Sequence, residues 1–273
     1  MTEPFAFSGV HAVITGAGSG LGRLMALGAA NRGARHVSVW DLNLPAARAV
    51  VKEIKAAGGK ASAHKVDVSA KASVDEAAQA TVESGGVVDL LINNAGIVSG
   101  KNFLDLTEKD ITQTYGVNTL AHYWTTQAFL PGMLAADRGR VVSIASAAGL
   151  AGSATLTDYS GSKFAAVGFM ESLRAELRDA GSAVSTLTIC PFYINTGMFD
   201  GVKSGSPLLK IQPPEPSASK ILDTIASTKQ ELLLPSMVYS VRYFRLLPVA
   251  VFDWLADQFG INKAMKTFRG RKK

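Results

Sequence analysis

Tyr159 and Lys163 stand four residues apart in Tyr159-Ser-Gly-Ser-Lys163, so a helix would carry both on one face. Ser146 precedes the tyrosine by thirteen positions, just beyond the apolar run Val141-Val-Ser-Ile144. A phenol, an ammonium and a hydroxyl brought together can hold an oxygen and move a proton to or from it, which is what interconverting an alcohol and a carbonyl requires. A tyrosine and a lysine on one helix face more often make only a solvated edge. The argument for a site rests on what the rest of the chain places beside them.

The segment Thr15-Gly-Ala-Gly-Ser-Gly-Leu-Gly22 joins a buried strand at 10–15 to an apolar-periodic helix. Gly16, Gly20 and Gly22 let the backbone approach a pyrophosphate, and Ser19 and Leu21 lie where the amides of the following helix point at it. The bland alternative is a tight turn and nothing more. Asp41 ends the second strand 19 positions after Gly22, where a carboxylate can receive the hydroxyls of an adenosine ribose. It repels a 2′-phosphate and so favours NAD over NADP. Neither Ser19 nor Leu42 supplies a cation for that phosphate, which leaves Arg23 as the neighbour that could. Asp67, after the third strand, either accepts from an adenine amino group or caps a turn.

These groups need a scaffold that brings strand ends together. Strands are expected at 10–15, 36–40, 61–66, 88–92, 139–144, 183–189 and 231–234, with helices at 45–57, 73–84, 110–135, 159–180 and 218–227. Strand and helix alternate, which predicts an α/β chain: a Rossmann-like, doubly wound parallel sheet in a single domain over 1–273. Residues 197–216 break the rhythm with Gly201, Gly205, Pro207, Pro213, Pro214 and Pro216; a lid over the site is preferred there to a surface linker.

Composition narrows the class. The chain has 273 residues, 47% hydrophobic and 18% charged, enough apolar material for a full core and unlike a disordered tail. Its one cysteine, Cys190, cannot form an internal disulfide, which favours the cytoplasm. The 28 basic and 22 acidic residues leave a net charge of +6, and six cations lie within 263–273. No apolar run approaches the roughly 20 residues of a spanning helix, and the N-terminus lacks the features of a secretory signal. His11, His36, His64 and His122 have no ligand spacing, so no metal is expected. No stacking aromatics on a nucleic-acid fold accompany the basic tail, so no nucleic acid is expected.

Taken together, TGAGSGLG, Asp67-Val68, Asn93-Asn94-Ala95-Gly96, Asn118, Ser146, Tyr159 and Lys163 give the chain, from 10 to about 234, a close resemblance to the short-chain dehydrogenases/reductases. The resemblance implies that Asn118, Ser146, Tyr159 and Lys163 form a catalytic tetrad. It implies that Gly16, Ser19, Gly20, Leu21, Gly22, Asp41, Asp67, Val68, Asn94, Tyr159, Lys163, Pro191 and Thr196 bind the cofactor. A free tyrosine with a pKa of about 10 is a poor base near neutrality, and Lys163 with a positive nicotinamide would lower it. Ser146 would hold the substrate oxygen, and Asn118, through a break in its helix and a bound water, would pass protons to solvent. The helices at 110–135 and 159–180 would pair with a second subunit, giving a homodimer or homotetramer; Phe164, Val167, Phe169, Leu173 and Leu177 could serve that contact or only face the sheet.

Many members carry Pro-Gly after the sixth strand; this chain has Cys190-Pro-Phe-Tyr-Ile-Asn-Thr-Gly-Met-Phe199. That loop, and Phe259-Gly-Ile-Asn-Lys-Ala-Met-Lys-Thr-Phe-Arg-Gly270, resemble the subgroup holding retinol dehydrogenases and 17β-hydroxysteroid dehydrogenases, although no hydrophobic anchor precedes the catalytic part. Substrate-pocket candidates are Val98, Ser146, Leu150, Ser153, Phe192, Tyr193, Met198 and Phe199, with Ile97, Ser99, Ala148 and Gly149 nearby. Their apolar character points to a lipophilic alcohol and its ketone or aldehyde: a retinoid, a steroid, an aromatic or a long-chain alcohol. The expected activity is NAD-dependent. The alternatives are an NADPH-dependent ketoreductase and a catalytically silent nucleotide-binding scaffold. Residues 237–273, aromatic and apolar with a basic end, read as an extension that either touches a membrane peripherally or docks on its own domain or a neighbouring subunit.

Overall fold

The computed structural model describes residues 4–203 and 210–270. Seven strands, β1 (His11–Thr15), β2 (His36–Asp41), β3 (Ala61–Lys65), β4 (Leu90–Asn93), β5 (Arg140–Ile144), β6 (Ser185–Pro191) and β7 (Glu231–Leu234), form one sheet in the order β3-β2-β1-β4-β5-β6-β7, all neighbours parallel. The chain winds one way through β1, β2 and β3 and then returns to lay β4 on the other side of β1. That reversal opens a crevice at the carboxyl ends of β1 and β4, where ligands bind in open α/β sheets.

Alternating residues on the strands face two different helical layers. From β1, Ala12 and Ile14 join Met25 of α1 (Gly20–Asn31), Val50 and Ile54 of α2 (Leu44–Ala56) and Ile221 of α7 (Pro214–Ile225). Val13 joins the opposite layer, with Val74 of α3 (Lys71–Gly85), Phe129 and Met133 of α5 (Ala121–Ala135) and Met170, Leu173 and Leu177 of α6 (Thr157–Asp179). Each of the larger of these side chains contributes on the order of 1.5–3 kcal/mol by leaving water. The layers therefore hold the sheet rigid, and the strand ends become fixed mounting points.

Two expectations need correction. The helix expected at 110–135 is two helices, α4 (Glu108–Tyr115) and α5, joined by a π-helical turn at Gly116–Leu120 that contains Asn118. α4 starts earlier because Thr107 and Asp110 form a reciprocal capping box. The irregular segment expected to end at 216 ends at 213, since Pro214 opens α7 with its φ already set for the first helical turn; of that segment, 204–209 lie outside the described residues. Of the residues offered for subunit pairing, Val167, Leu173 and Leu177 are buried against this chain's own core and Phe169 packs partly on it, while Phe164 stays exposed.

The histidines are less scattered than their sequence positions imply. On adjacent strands, His11 Nε2 bonds the Ser38 hydroxyl, Ser38 bonds Ser62, and Ser62 bonds both His36 and His64. Burial lowers the pKa of all three, that of His11 to about 4, so they act as neutral hydrogen-bonding groups. Among the described residues no cluster of His, Cys, Asp or Glu could hold a metal ion.

Candidate active site

The crevice is a cavity of about 390 Å³, running from the glycine turn after β1 to the loops after β5 and β6. At one end Gly16 and Gly20 adopt left-handed backbone (φ 62° and 54°). A Cβ on Gly22 would overlap the Gly16 carbonyl oxygen, so the turn closes tightly enough for α1 to aim its first amides into the cavity. Asn94 fixes that turn from just beyond β4: its Nδ2 donates to the Thr15 and Gly16 carbonyls at 2.9 and 3.3 Å. Its amide hydrogens are thus engaged in shaping the cradle.

Asp41 accepts from Gly18 N–H and Asn43 N–H, both at 2.8 Å, one on each carboxylate oxygen. A carboxylate offers about four lone-pair positions, so two remain for ribose hydroxyls. Gly18 was not singled out from the sequence, yet a Cβ there would stand 2.8 Å from Asp41 Oδ2. Arg23, the cation that could have met a 2′-phosphate, pairs instead with Glu53 of α2. Asp67 Oδ1 accepts from the Ser69 amide and hydroxyl, which makes the turn cap real, while the residue also lines the cavity beside Val68. Ser19, Leu21, Pro191 and Thr196 line it too. A nicotinamide dinucleotide fits this set: a glycine cradle, a helix N-terminus and a carboxylate in that order along one groove.

At the other end, α6 begins with Thr157 and carries Tyr159 and Lys163 on the face toward β5. Ser146 stands near the Tyr159 hydroxyl, where its own hydroxyl favours the phenolate form. Lys163 Nζ donates to the Ile144 carbonyl at the end of β5 (2.9 Å) and lies 5.7 Å from the Tyr159 ring centroid. Gly149 permits this approach, because a Cβ there would stand 2.6 Å from the Lys163 carbonyl oxygen. Burial pushes Tyr159 up to about 12 and Lys163 down to about 8. In the protein alone, near neutrality, the tyrosine is a protonated donor; phenolate requires added positive charge at its side of the cavity. The Cys190 thiol is buried and held at about 12, the state of a structural rather than nucleophilic cysteine.

Asn118 does not reach the cavity wall. It is fully buried in the π-helical turn, where Oδ1 accepts from Ile97 N–H and Nδ2 donates to the Ile97 carbonyl, each at 2.9 Å, and to Ser162 Oγ at 3.0 Å. The Ser162 hydroxyl in turn donates to the Tyr159 carbonyl (2.7 Å). Asn118 therefore ties the loop after β4 to the helix bearing Tyr159 and Lys163. Its side-chain groups are occupied, so any proton path would use backbone or water around it.

Of the residues offered for a substrate pocket, Ser146, Ser153, Phe192, Tyr193, Met198 and Phe199 line this end of the cavity. Val98 and Leu150 do not line it: Val98 packs in the cluster around Tyr159 and Leu156, and Leu150 packs against Val238 and Cys190. Missing from the sequence reading is a second wall made by Met237, Val241, Phe244, Phe259 and Ile261. These belong to the C-terminal extension, which runs through α8 (Ser240–Phe244) and α9 (Val249–Gln258). The one available signal was the density of apolar and aromatic residues beyond β7; nothing in local spacing says which face turns inward. No helix among the described residues is long and apolar enough to cross a membrane.

Comparison with known proteins agrees with this geometry. Residues 10–206 match the family model described as short chain dehydrogenase. The chain is 42% identical over 270 residues to epidermal retinol dehydrogenase 2 of Homo sapiens, covering 97% of this chain and 87% of that protein. It is 37% identical over 286 residues to retinol dehydrogenase 10-B of Danio rerio, covering 96% and 85%. Among solved structures, a short chain dehydrogenase/reductase from Burkholderia phymatum in complex with NAD is 30% identical with a TM-score of 0.74, over 89% of this chain and 95% of that one. A metagenomic short-chain oxidoreductase in complex with NADP is 30% identical with a TM-score of 0.71, over 84% and 98%.

Proposed function

This chain belongs to the short-chain dehydrogenase/reductase family, an oxidoreductase that binds a nicotinamide cofactor, and on that premise we propose that it interconverts a lipophilic alcohol and its ketone or aldehyde with NAD(H). The observation that carries this reading is a single cavity with the Asp41 carboxylate and glycine cradle at one end, Ser146, Tyr159 and Lys163 at the other, and apolar walls beyond them. The retinol dehydrogenases among the relatives support a lipophilic substrate of the retinoid, steroid, aromatic or long-chain kind.

The cofactor, when bound, takes up or supplies the hydride. Ser146 donates to the substrate oxygen and holds it beside the Tyr159 hydroxyl. In the reducing direction Tyr159, protonated at neutral pH, delivers its proton to that oxygen. In the oxidising direction it must accept the alcohol proton, and the cationic forms of Lys163 and of the oxidised cofactor favour the phenolate. Lys163, anchored on the Ile144 carbonyl, would also hold the nicotinamide ribose. Asn118 keeps the 97 loop and α6 in register.

NAD is preferred because Asp41 would repel a 2′-phosphate and Arg23 is committed to Glu53. Two further proposals accompany the reaction. Exposed Tyr243, Leu246, Val249 and Trp254 on the α8–α9 stretch support peripheral contact of a cytoplasmic protein with a membrane. Exposed Leu120, Tyr123 and Phe164 support pairing of subunits through α5 and α6. The test is NADH formation at 340 nm with retinol, steroid alcohols and aliphatic secondary alcohols, repeated with NADP. Turnover of one apolar class with NAD upholds the reading; turnover with NADP alone favours a ketoreductase, and cofactor binding without any turnover favours the silent scaffold.

A further inference from the structure

The ring above Tyr159 belongs to Phe199, edge-on at 5.7 Å between centroids. Phe199 also contacts Tyr193 at 4.9 Å and, on its far side, Phe268 at 6.4 Å. Phe268 comes from the last stretch of the described chain, almost seventy positions away in sequence, and does not itself line the cavity. It sits where a Cβ on Gly100, a residue with φ 66°, would overlap its ring, so only glycine leaves that seat open.

The backbone around this contact is tied in the same sense. Arg269 N–H donates to the Asp200 carbonyl (2.8 Å), Lys203 N–H to the Ala264 carbonyl (3.3 Å), and the Thr267 hydroxyl to the Gly201 carbonyl. A Cβ on Gly201, with φ 84°, would overlap the Thr267 carbonyl. On the other side Ser153 Oγ donates to the Ile261 carbonyl (3.2 Å) and Ala154 N–H to Asn262 Oδ1 (3.3 Å). Residues 261–270 therefore cross over three site loops, after β4, β5 and β6, and press on the one that carries Phe199. Ala264 and Met265 of this segment close with Tyr159, Leu156 and Val202 into a cluster that leaves Tyr159 only 5% exposed.

We propose that Phe268 is a positioning residue for substrate selection: seated on Gly100, it holds Phe199 against Tyr159, and so sets how well a bulky apolar alcohol is gripped at the reacting oxygen. This rests on the reading of the cavity as an alcohol site. A small alcohol fills little of the space next to Phe199 and gains little from its being fixed. A large apolar one presses on that ring, and a loose ring forfeits the contact, an effect of about tenfold for a modest change in apolar fit.

The experiment compares Phe268→Ala, Phe268→Leu and Gly100→Val with the unaltered chain. Expected for Phe268→Ala is a roughly tenfold higher KM for retinol or a steroid alcohol, with little change in kcat, in the KM of a small secondary alcohol, or in NADH binding followed by fluorescence. Phe268→Leu should recover most of the loss. Gly100→Val should reproduce Phe268→Ala from the other side of the contact. Hydrogen–deuterium exchange over residues 199–203 gives a readout independent of turnover: both disruptive variants should exchange faster there. If no alcohol is oxidised by the unaltered chain, the functional reading fails and this exchange comparison alone decides the Phe268 contact. Unchanged bulky-to-small KM ratios, or unchanged exchange at 199–203 in both variants, would overturn the proposal, as would an equal loss of NADH binding.

Discussion

The two ends of the cavity are built by opposite means. The cofactor end is made of residues close in sequence: Gly16, Gly18, Gly20 and Gly22 within one turn, where Gly22 closes on the Gly16 carbonyl, with Asp41 on the adjacent strand accepting from Gly18 N–H. The substrate end collects Phe192 and Phe199 from one loop, Ser153 from another, and Val241, Phe244 and Ile261 from beyond the last strand. The first is rigid because backbone packs on backbone. The second is side chain on side chain, where a change of volume is absorbed or felt ring by ring. A cofactor common to many enzymes and a substrate particular to one are thus met by different kinds of construction.

That contrast can be broken by exchanging the effects. The largest is expected at Gly22→Ala, whose Cβ has no room beside the Gly16 carbonyl. Overpacking of about 1–3 kcal/mol should weaken NADH binding by up to about 100-fold, measured by quenching of protein fluorescence, with any remaining turnover keeping its alcohol KM. Next, Asp41→Ala should cost about tenfold in NAD affinity, through lost hydrogen bonds to a charged group, and should narrow the gap between NAD and NADP in titrations of both. At the substrate end, Phe244→Ala should raise the KM of a bulky alcohol by about fivefold and leave NADH binding as it was. If Phe244→Ala weakened the cofactor while Gly22→Ala altered only the alcohol, the division would be false.

The smallest effect on neutral-pH turnover is expected from the histidine ladder, which starts at His11 and His36 on the amino ends of β1 and β2, away from the cavity, and whose signature is in stability. His11 is neutral in the fold down to about pH 4 and, once unfolded, takes up a proton near 6.5. Between those values the unfolded chain binds more protons, so stability is complete above about 6.5 and declines as pH falls toward 4, by about 3 kcal/mol for His11 alone. Urea unfolding at pH 7 and pH 4.5 checks this, and His11→Gln should flatten the difference.

The same contrast explains how much was legible beforehand. The alternation of strands and helices, the glycine turn, Asp41 and the Tyr159–Lys163 pair were readable because each rests on a short-range rule: hydrophobic period, left-handed glycine, one helical turn. The spacing alone gives one continuous helix over 110–135; the break at Asn118 is implied only by the family resemblance, and its bonds to Ile97 and Ser162 join elements far apart in sequence. The inward turn of Val241 and Phe244, and the seating of Phe268 on Gly100, depend on where the chain runs after β7, and no local pattern encodes that path. Pro214 was read as a breaker because the same fixed φ serves a loop and a first helical turn equally well.

The most direct test of the central claim is Tyr159→Phe, which removes the hydroxyl and keeps the ring against Phe199. NAD-dependent oxidation of the best apolar alcohol should fall by about 10²–10⁴-fold, while NADH binding stays within about twofold of the unaltered protein, since the cradle at the other end is untouched. Turnover persisting at the full rate in Tyr159→Phe would contradict the assignment of Tyr159 as the acid and base.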